Sequence, residues 1–113
     1  MSNLTHLTED QLEEEVLRSD LPVLIDFYAQ WCGPCKILTP ILETLAEEFA
    51  GRAKVVKVDV DVERALAGRF QITGVPTLIL FDGGEQVWQA VGLPKPQELV
   101  GQLTKVAGVG SAG

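Results

Sequence analysis

The sequence predicts a three-layer α/β domain, with helices packed on both sides of a mixed central sheet. Three observations lead there. Helical and extended segments alternate along most of the chain, the order that builds parallel strands with crossover helices. The run LPVLIDFYA, residues 21–29, is almost wholly apolar, as in a strand covered on both faces. Later, VPTLILF and EQVWQAV flank Asp82-Gly83-Gly84, a hairpin signal that adds an antiparallel pair.

The elements follow in order. LTEDQLEEEVLRSD reads as a first helix: Thr8 and Gln11 have capping-box spacing, and Leu12 and Val16 share a face. Residues 21–29 form the buried strand, with Pro22 at its start. From Cys35 to Phe49 the residues Leu38, Ile41, Leu42, Leu45 and Phe49 recur at helical spacing. Pro40 should kink that helix, and Gly51 marks its end. AKVVKVDV (53–60) is extended, and DVERALAGRF (61–70) is a short helix ending near Gly68. VPTLILF (75–81) and EQVWQAV (85–91) are the hairpin strands. PQELVGQLTKV (96–106) closes the chain as a helix with Leu99, Val100, Leu103 and Val106. Residues 1–107 are read as one domain and 108–113, ending in small residues, as a flexible tail.

Composition narrows the function. The 113 residues carry sixteen acids against nine bases, a net charge of −7. This argues against nucleic acid, whose binding rests on clustered Lys and Arg. No run is long enough to span a bilayer. MSNLTHLTEDQLEEE has neither a basic start nor an apolar core, so it does not read as a secretory signal. A cytoplasmic location is expected, where reductants keep thiols open. A cysteine pair there points to catalysis or metal binding.

Both cysteines lie in YAQWCGPCKIL, residues 28–38. The pair follows a buried strand and opens a helix. The first N–H groups of a helix lack partners and its dipole is positive there, which lowers the pKa of a thiol at the site. Residues three apart share a helical face, so Cys32 and Cys35 can reach disulfide distance. Pro34 suits a first turn, since its missing N–H forfeits no bond. Gly33 lets a partner backbone approach. Cys32, at the helix mouth, is expected to be exposed and nucleophilic; Cys35, one turn in, is expected to be shielded and resolving. Zinc would need four ligands, and His6 is the only histidine. A structural disulfide across so small a loop would add little stability.

W-C-G-P-C-K, residues 31–36, together with IDF (25–27), GVPT (74–77) and VG (91–92), resembles the thioredoxin family over nearly the whole chain, from about Leu4 to Val106. The resemblance implies a thioredoxin fold with five strands and four helices, and a redox-active Cys32–Cys35 disulfide. It implies a protein-disulfide reductase that binds no cofactor. Its electrons would come from NADPH through a flavoprotein thioredoxin reductase, and its partners would be that reductase and disulfide-containing proteins. A monomer is expected.

Asp26 is out of place in the apolar LIDFY. Burial raises a carboxyl pKa and lets the acid exchange protons near neutrality. The resemblance sets Asp26 behind the cysteines as the acceptor for the resolving thiol's proton, with Lys57 as its neighbour. Pro76, opening a strand, can be a cis turn, and the resemblance makes it the cis-proline packed on the dithiol. Trp31, Gly33, Pro34, Gly74, Val75, Pro76 and Gly92 would form a shallow apolar rim for extended peptides. Lys36 either adds charge near the thiolate or is simply solvated. Tyr28 stands where many family members have Trp, Asp82 where a lysine is frequent, and Pro94 follows Gly92 closely. Trp88 is read as sheet packing and His6 as a surface residue. Two other readings stay open: an oxidase or isomerase on the same fold, distinguished by potential, and a binding subunit whose thiols are incidental.

Overall fold

The computed structural model describes residues 4–108. Residues 1–3 of the expected domain, and the expected tail beyond Gly108, lie outside the described residues.

Five strands form one sheet in the order β1-β3-β2-β4-β5. They are β1 (Thr5–His6), β2 (Val23–Tyr28), β3 (Lys54–Asp59), β4 (Thr77–Asp82) and β5 (Glu85–Val91). β2 and β1 run parallel to β3, whereas β4 runs antiparallel to β2 and to β5. The sheet is therefore mixed, as expected. The helices are α1 (Gly33–Glu48), α2 (Arg64–Arg69) and α3 (Pro96–Ala107), preceded by an N-terminal helical segment.

Alternation along the strands sorts the side chains into two cores. On one face Leu24, Val55, Leu78 and Leu80 meet Leu38, Leu42 and Leu45 of α1 and Leu99 and Leu103 of α3. On the other face Ile25, Phe27, Val56, Val58 and Ile79 meet Leu12, Val16 and Leu66. β2 thus contributes to both, which is why its sequence reads as one apolar run. Trp88 packs against the first core, half-buried.

Three details depart from the sequence reading. The first helix is not one α-helix but a 3-10 turn, Glu9–Gln11, followed by a π-helical stretch, Glu13–Leu17. The Gln11 side chain accepts the Thr8 N–H at 3.0 Å, the expected return half of the capping box. Leu12 and Val16 nevertheless both pack into the second core. Next, α1 begins at Gly33 rather than at Cys35, with Pro40 inside it as expected. Finally, β1 went unrecognised as a segment: it has two exposed residues, too few to show any alternation. Beyond α1, Gly51 takes φ +82°, a value that side-chain-bearing residues avoid.

Leu78 is fully buried at the centre of the first core. Replacing it with Ala should lower the unfolding free energy of the oxidised protein by about 2–5 kcal/mol, read from urea denaturation.

Candidate active site

The CGPC segment joins the end of β2 to the start of α1. Cys32 is the N-cap of α1, with extended backbone (φ −88°, ψ 114°). Its Sγ accepts the backbone N–H of Cys35 at 3.1 Å, so the sulfur occupies the place a capping oxygen usually holds. Pro34 sits in the first turn, where its lack of an N–H leaves no bond unmade. Cys32 and Cys35 are joined in a disulfide, with Cα atoms 5.3 Å apart.

Cys32 is not exposed, contrary to the sequence reading: it is 3% accessible, no more than Cys35. Pairing the sulfurs folds them together into a small apolar cluster with Ala29, flanked by Tyr28, Val60 and Val75. The asymmetry lies in position instead: Cys32 is the cap, and Cys35 belongs to the helix.

The loop before β4 comes to the dithiol from the sequence-distant side. The Val75–Pro76 peptide is cis, as expected. Val75 packs on the disulfide cluster, and Pro76 accepts the Gly92 N–H at 2.8 Å. Gly92 has φ +91°, which requires glycine-like freedom. The Thr77 hydroxyl donates to the Gly74 carbonyl at 2.6 Å and pins the turn. Trp31 is 71% exposed, and its Nε1–H donates to Asp61 at 3.0 Å. Gly33 and Pro34 are exposed beside it. Sequence reasoning passed over Asp61, because an acid in a loop after a strand carries no local signal.

Asp26 is 1% accessible, and its Oδ1 has no hydrogen-bond partner among the described residues. Burial pushes its pKa from the ordinary 3.8 up to about 7, and the charge of Lys57 partly opposes the rise. Lys57 stands opposite Asp26 in the β2/β3 register. Its Nζ lies 5.3 Å from the centre of the Tyr28 ring. Among the described residues no group of three or more His, Cys, Asp or Glu side chains could hold a metal.

The chain matches the thioredoxin family model over residues 3–105. It is 46% identical over 98 residues to a thioredoxin from Haemophilus influenzae, covering 86% of this chain and 92% of that one. Identity is 45% over 97 residues with thioredoxin 1 from Chlorobaculum tepidum, covering 86% and 96%. A solved mutant thioredoxin from Halobacterium salinarum superposes with a TM-score of 0.82 at 42% identity, covering 94% of this chain and 91% of its own. This chain belongs to the thioredoxin family. With its paired CxxC sulfurs it is a thiol–disulfide oxidoreductase.

The buried acid makes stability depend on pH. Below pH 3.8 both folded and unfolded Asp26 are protonated, so burial costs nothing through ionisation. The cost grows as pH rises and is complete above about 7. The interval is worth at most about 4 kcal/mol at about 1.4 kcal/mol per pH unit. Urea midpoints of the oxidised protein should therefore fall between mildly acidic and neutral pH, and Asp26→Asn should flatten that part of the profile.

Proposed function

We propose that the protein reduces disulfides in other proteins and is recharged by an NADPH-dependent flavoprotein thioredoxin reductase. The observation that carries the reading is the Cys32 sulfur acting as helix cap, because the same N–H that meets it in the disulfide would stabilise a thiolate. In the reduced protein the Cys32 thiolate attacks a substrate sulfur; a Cys32–substrate disulfide forms and one substrate thiolate leaves. Cys35 loses its proton, and its thiolate attacks Cys32 Sγ. The Cys32–Cys35 bond forms, and the second substrate thiolate leaves. The reductase then returns two electrons.

Asp26 is the proton acceptor for Cys35 in this scheme. Its lifted pKa lets it exchange a proton near neutrality, and Lys57, opposite it, tunes that value. Trp31, Gly33, Pro34, Gly74, Val75, Pro76 and Gly92 form the substrate rim. Support for it comes from the exposed indole and from the position of Val75 on the disulfide. The substrate's backbone would pair beside Val75 as an added strand. No described helix is long and apolar enough to cross a membrane. The matches to bacterial thioredoxins support a cytoplasmic protein, and the proposed scheme needs only a single chain.

Insulin reduction coupled to NADPH consumption by a thioredoxin reductase tests this reading. The wild-type chain should turn over, and Cys32→Ser should fall to background. Turnover by Cys32→Ser equal to wild type would refute the scheme. Asp26→Asn should keep Cys32 reactive toward iodoacetamide while slowing resolution by Cys35, by up to about a hundredfold if the carboxylate is the general base.

A further inference from the structure

Behind the dithiol lies a cavity of about 200 Å³ lined by His6, Tyr28, Cys35, Lys36, Thr39 and Lys57, among others. None of the rim residues named above lines it. It therefore meets Cys35 from the side that a bound protein substrate does not cover. The volume holds several water molecules.

The sheet register explains why these residues converge. His6 of β1 stands opposite Lys57 of β3, and Lys57 stands opposite Asp26 of β2. Opposed residues project to the same face, so one row carries imidazole, ammonium and carboxyl beneath the start of α1. Tyr28, one pleat further along β2, brings its hydroxyl to within 3.4 Å of His6 Nδ1. Their ring centres are 6.0 Å apart. A second cavity, of about 370 Å³, lies on the far side of this pair. It is lined by His6, Tyr28 and Gln30 together with Thr8, Asp59 and Glu63. The His6–Tyr28 contact is thus shared between the Cys35 cavity and an outer one. His6 itself is exposed.

We infer that His6 and Tyr28 form a rear proton outlet for Cys35, and that both are positioning residues for the resolving step. The inference rests on the dithiol scheme above. During resolution a protein substrate occupies the front, and the proton leaving Cys35 needs another way to solvent. It passes to Asp26 or to water in the rear cavity, then along the Tyr28 hydroxyl to the His6 imidazole, and from there to buffer. No electron moves along this route; the electron pair left on Cys35 Sγ forms the new bond to Cys32. Burial, with the charges of Asp59 and Asp26, raises the Tyr28 pKa, so the phenol keeps its proton and can donate to Nδ1. An imidazole can accept a proton on one ring nitrogen and release one from the other. The other charged groups around the pair are Lys57 and Lys36 on the cavity side and Asp59 and Glu63 on the outer side.

The test uses the reduced full chain and a protein thiol carried as its thionitrobenzoate mixed disulfide, so that a protein covers the front during resolution. Thionitrobenzoate leaves when Cys32 attacks and joins the protein, and the protein thiol leaves when Cys35 resolves, so the two releases are read separately. In His6→Gln and Tyr28→Phe the first release should match wild type. The second should slow about tenfold near neutral pH, a fraction of a full general-base effect, and recover when free imidazole is added. His6→Gln, at an exposed position, keeps the test intact if Tyr28→Phe folds poorly. An unchanged second release overturns the inference, as does slowing that is equal at every pH and deaf to imidazole. A wild-type chain with no fast first release would instead bring down the thiolate reading, and the outlet with it.

Discussion

One contact organises the site: the Cys35 N–H reaching the Cys32 sulfur across the first turn of α1. It needs a strand that delivers Cys32 to the mouth of a helix in extended conformation, and a helix that starts at once. β2 meets the first need because it is buried on both faces and held between β3 and β4. α1 meets the second because Leu38, Leu42 and Leu45 anchor it on the sheet. The capped position of the sulfur is therefore a property of the whole β2–α1 junction. Two cysteines at the same spacing on a mobile loop would lack the fixed N–H groups that stabilise an anion.

Asp26 shows the opposite balance. A carboxyl with an unpartnered oxygen in the middle of a sheet lowers the stability of the folded state once it ionises. The fold tolerates it because the surrounding leucines contribute far more than one ionisation removes, and because the acid can remain protonated up to about neutral pH. Strained or frustrated groups of this kind concentrate where chemistry occurs. Lys57 softens the conflict without closing an ion pair, its ammonium lying over the Tyr28 ring.

The front and back of the dithiol are built differently. The front carries the exposed Trp31, with Val75 of the cis Val75–Pro76 turn packed on the disulfide. The back is polar and lined by titratable groups. Under the function and outlet proposed above, electron exchange with a large partner and proton exchange with solvent would take place on separate sides of Cys35. The separation follows from topology: the front comes from the loops before β4 and after β5, and the back from β1 and β3 at the other side of β2.

Much of this was legible in the chain itself. The apolar run at residues 21–29, the helical spacing after Cys35 and the Asp-Gly-Gly turn gave the architecture, because periodicity and turn chemistry are local. The CGPC segment gave the chemistry for the same reason: cap, proline and paired thiols lie within one turn. What tertiary structure alone decided is whatever depends on strand neighbours. β1 is too short to announce itself, yet it sets His6 opposite Lys57. The burial of Cys32 depends on Val60 and Val75, which arrive from other loops. The 3-10 and π-helical form of the N-terminal segment, which carries Leu12 and Val16 into the second core, appears only in the folded chain. Contacts between residues far apart in sequence leave no periodic trace, so only the folded sheet could assign them.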